Sequence, residues 1–230
     1  MEIIPGVHVI DLGMVQAYLV QEADRLTLID TGLATCAPAI IEVIEGLGRK
    51  IGDLRQIVVT HYHVDHMGSL AELAERSGAP VLAHALDAPV VRGEQPEEEP
   101  ILSELEKPYA EETRKQVLPA RRCSVDRELT DGDEIDLEGG AQVVHVPGHT
   151  RGSIAIYAPK RRALFAGDAA VRMPDGRLIV GVFNVDPERT RASFRRLADL
   201  EFDAAFFGHG KPLDKHASLA FRRVADKLAG

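Results

Sequence analysis

Cysteine is nearly missing from this sequence: Cys36 and Cys123 are the only two in 230 residues. Two thiols make no disulfide framework. Long apolar runs are missing too, since no stretch approaches the roughly 20 consecutive apolar residues of a membrane span. The opening residues, Met1-Glu2-Ile3-Ile4-Pro5-Gly6, lack the basic and apolar regions of a signal peptide. The cytoplasm is therefore the expected location. Positive charge is in deficit, with 27 basic residues against 36 acidic ones and a formal net charge of −9. That balance opposes non-specific binding to nucleic-acid phosphates, so neither nucleic acid nor membrane is expected as a partner. No Gly-x-Ser-x-Gly elbow occurs, which removes the serine nucleophile of one large hydrolase class. What is left, 45% hydrophobic and 27% charged residues, is an ordinary soluble balance. The length suits one domain, 1–230, better than two.

Histidine is where the sequence departs from this plain background. Thr60-His61-Tyr62-His63-Val64-Asp65-His66 packs three imidazoles and a carboxylate into one heptapeptide. It directly follows Ile57-Val58-Val59, which reads as a buried strand. After it, Met67-Gly68-Ser69 leads into a helix-period stretch, Leu70-Ala71-Glu72-Leu73-Ala74-Glu75-Arg76, stopped by Gly78. A strand-to-helix turn of this kind gathers side chains beyond the strand's carboxyl end. Imidazole with carboxylate suits zinc, manganese or iron. His61 and His63 alternate and can share a face, whereas Asp65 and His66 are shifted onto the start of the helix. One tetrahedral ion cannot use all four, so two ions are expected, each completed by ligands from elsewhere.

The pattern His-x-His-x-Asp-His after a strand resembles the signature of the metallo-β-lactamase superfamily of hydrolases. The family's other motifs follow in order: Leu28-Ile29-Asp30-Thr31-Gly32 before the cluster, then Pro147-Gly148-His149-Thr150, Ala166-Gly167-Asp168 and Gly208-His209-Gly210 after it. The resemblance implies an αββα sandwich, two mixed sheets between outer helices. It also implies a ligand set: His61, His63 and His149 on one ion, Asp65, His66 and His209 on the other, and Asp168 bridging. Two divalent ions are expected, zinc first, with iron or manganese as alternatives. Asp30 resembles the family's structural aspartate, which orients ligand loops without touching metal. Four other histidines, His8, His84, His145 and His216, fall outside the motifs. His84 could reach the pocket rim, His145 is expected to be a hydrogen-bonded structural residue, and His8 and His216 surface or packing residues.

Strands are expected at 7–12, 17–21, 26–29, 56–60, 80–84, 141–146, 153–158, 163–167 and 204–207. Helices are expected at 36–48, 188–199 and 214–228, with a hairpin around Thr130-Asp131-Gly132-Asp133. This strand–helix–strand rhythm argues for a layered α/β fold. Residues 86–122 break it: proline and glutamate crowd the segment, and Pro108 should kink or split any helix carrying Ile101, Leu102, Leu105 and Tyr109. A solvated connection packed on the body is the plain reading, and a flap over the metal centre or a homodimer contact is the functional one.

The chemistry implied is hydrolysis of a small-molecule ester, thioester, lactone or lactam by a hydroxide shared between the ions, with Asp168 bridging and Asp65 passing a proton to the leaving group. An iron-dependent, persulfide dioxygenase-like oxidoreductase is the alternative from another class, and β-lactam or phosphodiester hydrolysis the alternatives within the same one. Glyoxalase II shares all seven ligand types, but only about twenty residues follow Gly210, so most of its basic C-terminal helical region is not matched. Related lactonases place a tyrosine shortly after the bridging aspartate, where this chain has Ala169-Ala170-Val171-Arg172-Met173. The pocket loop at 171–186 offers Arg172, Met173, Phe183 and Asn184, a largely apolar set. A small or medium uncharged acyl substrate is expected.

Overall fold

The computed structural model describes residues 1–228, and side chains for all of these except 113–116. The chain forms two compact units, Met1–Glu97 with Gln116–Leu129, and Glu98–Lys115 with Thr130–Gly230.

The first unit holds a seven-stranded sheet in chain order: β1 (Glu2–Ile4), β2 (Val7–Asp11), β3 (Gln16–Gln21), β4 (Leu26–Ile29), β5 (Leu54–Val58), β6 (Val81–His84) and β7 (Arg127–Leu129). β1 to β4 run antiparallel, while β4 to β7 are parallel neighbours, so the sheet is mixed. Each parallel step needs a crossover, which the helices of this unit supply. These are α1 (Ala37–Gly46), α2 (Val64–Met67), α3 (Leu70–Ser77) and α4 (Ala88–Arg92). Ile40, Ile41 and Ile44 of α1 and Leu70 and Leu73 of α3 enter one core with Leu19, Leu28, Ile57 and Val81 of the sheet. Burying each such side chain is worth about 1.5–3 kcal/mol. Gly78 ends α3 as expected, in the left-handed conformation at φ +69°, with its N–H on the Ala74 carbonyl.

The second unit begins with α5 (Lys107–Gln116) and continues through β8 (Glu134–Ile135), β9 (Ala141–His145), β10 (Ile154–Ala158), β11 (Ala163–Phe165), β12 (Ala170–Arg172), β13 (Leu178–Val180), α6 (Pro187–Ala198), β14 (Ala204–Phe206) and α7 (Ala217–Lys227). Its main sheet has the order β14-β11-β10-β9-β8, with β14 and β11 parallel and the rest antiparallel. β12 and β13 form a separate hairpin. Phe194 of α6 and Phe221 of α7 stack with ring centroids 4.9 Å apart and close the core over Leu164, Phe202 and Phe207. Asp186 caps α6 by accepting the Arg189 N–H at 3.0 Å, and Pro187 follows at the first helical position, where no N–H is needed.

Both units thus carry the mixed sheets expected. Three sequence expectations give way. The hairpin around Thr130-Asp131-Gly132-Asp133 does not form, because its flanking strands pair elsewhere: Leu129 with His84, and Ile135 with Ala141. Pro108 splits no helix. It sits in the first turn of α5, which starts at Lys107, and there the missing N–H is harmless. The stretch read as a pocket loop contains the β12–β13 hairpin. Burial is the largest influence on both thiols and pushes Cys36 and Cys123 up from their ordinary values, in keeping with ordinary structural cysteines. Among the described residues no helix is long and apolar enough to cross a membrane.

Candidate metal centre

In the first unit the site is built where β4 and β5 end side by side. β4 gives way to Asp30, whose backbone lies in the left-handed region at φ +60°. Aspartate tolerates that conformation better than most residues. The bend turns a buried carboxylate toward the end of β5. There Asp30 accepts the Thr60 N–H at 2.8 Å through Oδ1, and the Thr60 hydroxyl at 2.7 Å and His66 Nδ1 at 2.8 Å through Oδ2. The Thr60 hydroxyl has spent its proton on Asp30. Toward His61 Nδ1, 3.1 Å away, Thr60 Oγ1 therefore accepts. One carboxylate thereby places the protons of two imidazoles on Nδ1 and leaves Nε2 as the lone-pair nitrogen of each ring.

The backbone of the turn is held as firmly. Thr31 donates its N–H and its hydroxyl to the His66 carbonyl, at 2.7 and 2.9 Å. Asp87, buried just beyond β6, accepts the Tyr62 N–H at 3.2 Å. Tyr62 is itself buried, edge-on to the His63 ring at 5.1 Å. Gly68 is required by close approach: a Cβ there would lie 2.4 Å from the Ala34 nitrogen. With the turn fixed, the His61 ring lies 4.8 Å from that of His63 and 4.0 Å from that of His66, and Asp65 Oδ2 lies 3.9 Å from His66 Nε2.

In the second unit three strand ends carry two histidines and an aspartate. His149 follows β9, Asp168 lies in the 3-10 turn after β11, and His209 follows β14. Asp168 Oδ2 stands 3.5 Å from His149 Nε2 and 3.2 Å from His209 Nε2. His149 Nδ1 donates to the Val182 carbonyl at 2.9 Å, which in a neutral ring leaves Nε2 as the lone-pair nitrogen. A carboxylate oxygen facing an imidazole lone pair is a donor set that a cation fits. The loop after β13 that supplies this carbonyl is strained: Phe183 lies at φ +55°, a region costly for a bulky side chain. Glu106 holds the Phe183 N–H at 3.0 Å. At the His209 end, Gly210 (φ +91°) lies so close to the β12 backbone that a Cβ would meet the Arg172 carbonyl oxygen at 1.8 Å.

The remaining histidines are accounted for without ligation. His8 Nε2 meets Gln21 Oε1 at 2.9 Å, His145 Nε2 donates to the Arg151 carbonyl at 2.8 Å, and His84 Nδ1 accepts the Leu86 N–H at 3.2 Å. His216 is exposed at the start of α7. Arg172, offered by the sequence as a pocket residue, instead donates Nη1 to the Lys211 and Pro212 carbonyls at 3.2 and 2.7 Å, tying β12 to the His209 loop. Part of the proline- and glutamate-rich segment joins the His149 neighbourhood: the Ile101 N–H donates to the Asn184 carbonyl at 2.8 Å, and Arg151 pairs with Glu98 at 2.8 Å. Asp87 and Glu106 carried no sequence signal, since each acts on a backbone N–H of a residue far away in the chain.

The sequence model of the Metallo-beta-lactamase superfamily matches residues 10–209. A probable metallo-hydrolase of Bacillus subtilis, YflN, is 26% identical over 90% of this chain and 85% of its own length. A hydroxyacylglutathione hydrolase of Ruegeria pomeroyi is 29% identical over 81% of this chain, which spans 58% of that enzyme. Among solved structures, a metallo-β-lactamase with the HARLDQ motif from Cronobacter sakazakii is similar with a TM-score of 0.75 at 25% identity, covering 99% of this chain and 90% of that one.

Proposed function

The chain belongs to the metallo-β-lactamase superfamily, and from that premise we propose that it is a binuclear metal-dependent hydrolase of uncharged acyl substrates. His61, His63 and His149 take one ion, Asp65, His66 and His209 the other, and Asp168 serves both. In support, the donor sets His61/His63/His149, Asp65/His66/His209 and His61/His66/Asp168 are each of a kind that could hold an ion. The observation that carries most weight is the tautomer pattern: Asp30, Thr60 and Val182 place the Nδ1 protons of His66, His61 and His149, which makes Nε2 the lone-pair nitrogen of each ring. One family sequence model spans residues of both units, which supports reading them as a single domain.

Two divalent ions, zinc first, would supply Lewis acidity toward a carbonyl oxygen and a nucleophilic water at neutral pH. The chain's own groups do the rest. Asp30 keeps the imidazoles of the first unit from swinging, Asp168 Oδ2 fixes the approach of two more, and Asp65 holds a proton for the leaving group on its carboxylate. The substrate end follows from charge. Arg172 and Arg177, the basic residues of 171–186, are committed: the first to backbone carbonyls and the second to Asp175 at 2.6 Å. That leaves the loop's apolar groups to meet the substrate, which favours an ester, thioester or lactone without a charged tail. The relatives named hydroxyacylglutathione hydrolase support including a thioester.

A hydrolysis screen over simple esters, thioesters, lactones, β-lactams and phosphodiesters, with and without chelator, tests this. The expected result is metal-dependent turnover of several uncharged esters and lactones, with β-lactams at most a side activity. Selective turnover of a hydroxyacylglutathione thioester, with simple esters and lactones untouched, would overturn the substrate class.

A further inference from the structure

The hydrogen bonds on either side of the Val182–Phe183 peptide have a common origin. The carbonyl of Val182 and the N–H of Phe183 belong to one trans peptide group, so they point to opposite sides of it. On one side the carbonyl accepts His149 Nδ1–H at 2.9 Å, and on the other the N–H donates to Glu106 Oε1 at 3.0 Å. We infer that Glu106 is a positioning residue for His149, acting through this single peptide as a carboxylate–peptide–imidazole relay.

Three observations carry it. The carboxylate is aimed: Ser103 donates both its N–H, at 2.8 Å, and its hydroxyl, at 2.6 Å, to Glu106 Oε2, which leaves Oε1 for Phe183. The carboxylate is ionised: burial pushes Glu106 up, but the Ser103 hydroxyl, the Phe183 N–H and the Ser103 N–H together outweigh it and hold the group below its ordinary range. And the peptide is held in a conformation it would not choose, with Phe183 at φ +55°, which fits a contact that matters more than the local backbone preference. An anion accepting the N–H of an amide pushes electron density toward its carbonyl oxygen, so bonds in such a chain strengthen one another. Val182 becomes a better acceptor, and the imidazole a better donor of its Nε2 lone pair. His66 receives the same service from Asp30 by direct contact. His149 receives it at one remove.

The metal consequence rests on reading His149 as a ligand, whereas the relay itself does not. The test is therefore made on the full chain both zinc-free and zinc-loaded. Long-range proton–nitrogen spectra report His149 Nδ1–H in the unaltered protein, in Glu106→Gln and Glu106→Ala, and in Glu98→Ala, which breaks the neighbouring Arg151 pair without touching the peptide. In zinc-free protein the Nδ1 proton should move upfield in both Glu106 variants, further in Glu106→Ala, and stay in place in Glu98→Ala. By chelator competition, Glu106→Ala should bind zinc about tenfold more weakly, at the lower end for partners behind a ligand. Glu106→Gln, which keeps an acceptor, should lose less. An unmoved Nδ1 proton in both Glu106 variants, or an equal shift in Glu98→Ala, overturns the relay. Should Glu106→Ala fail to fold, Glu106→Gln decides alone. A His149 signal that ignores zinc would refute the metal assignment while the zinc-free shifts still judge the relay.

Discussion

The two units orient their histidines by different means. In the first, a single buried carboxylate, Asp30, sits directly behind His66 and one hydroxyl away from His61. In the second, the Nδ1 side of His149 leans on a neutral backbone carbonyl in a strained loop, and the carboxylate behind that carbonyl, Glu106, lies across the peptide. A buried charge with three donors is costly to disturb, because every donor left without it is stranded away from water. A backbone carbonyl can be rotated away by loop motion. The first half should therefore be the more rigid one and the second the more adjustable, and substitutions should separate them.

The largest effect is expected at the residue both ions would share. Asp168→Ala should lower turnover by more than the ~10–100-fold loss typical of partners behind a ligand, and reduce both ions by elemental analysis. Loss of His63 or His209 alone should do less. Two tightly held ions and normal turnover in Asp168→Ala would refute the bridging role.

Next comes Asp30→Ala. It should cost roughly 10–100-fold in activity. Chemical denaturation should also show about 1–3 kcal/mol lost for each buried donor left unpaired. If stability stays unchanged, the contrast drawn between the two halves fails. Thr60→Val should be milder, because it cuts the link to His61 and spares that to His66. Spectra of the two histidine rings should show His61 released and His66 unmoved, with activity down by about tenfold.

That contrast also marks what the sequence could disclose. Every proposed ligand lies in a short motif at a strand end, and Asp30 stands within the legible run Leu28-Ile29-Asp30-Thr31-Gly32. The long apolar strands and amphipathic helices were readable from their periodicity, α1 and α6 to within two residues. The illegible parts are contacts between a side chain and a remote backbone group. Asp87 reaches the Tyr62 N–H across 25 positions and Glu106 the Phe183 N–H across 77, and a backbone N–H leaves no mark on residue identity at its own position. Three residues are too few for alternation to show, so β1, β7 and β12 escaped, while β11 and β14, equally short, were legible only as apolar runs just before ligand motifs. Arg172 read as a pocket cation because its true partners are carbonyls of Lys211 and Pro212, which any residue supplies.

The central claim is that the two halves together serve two metal ions, and elemental analysis of natively purified protein tests it most directly. Two divalent ions per chain, zinc foremost, are predicted, with one lost in Asp65→Ala or His66→Ala and the other in His61→Ala or His149→Ala. A single iron per chain, retained unchanged when Asp65 and His66 are replaced, would contradict it.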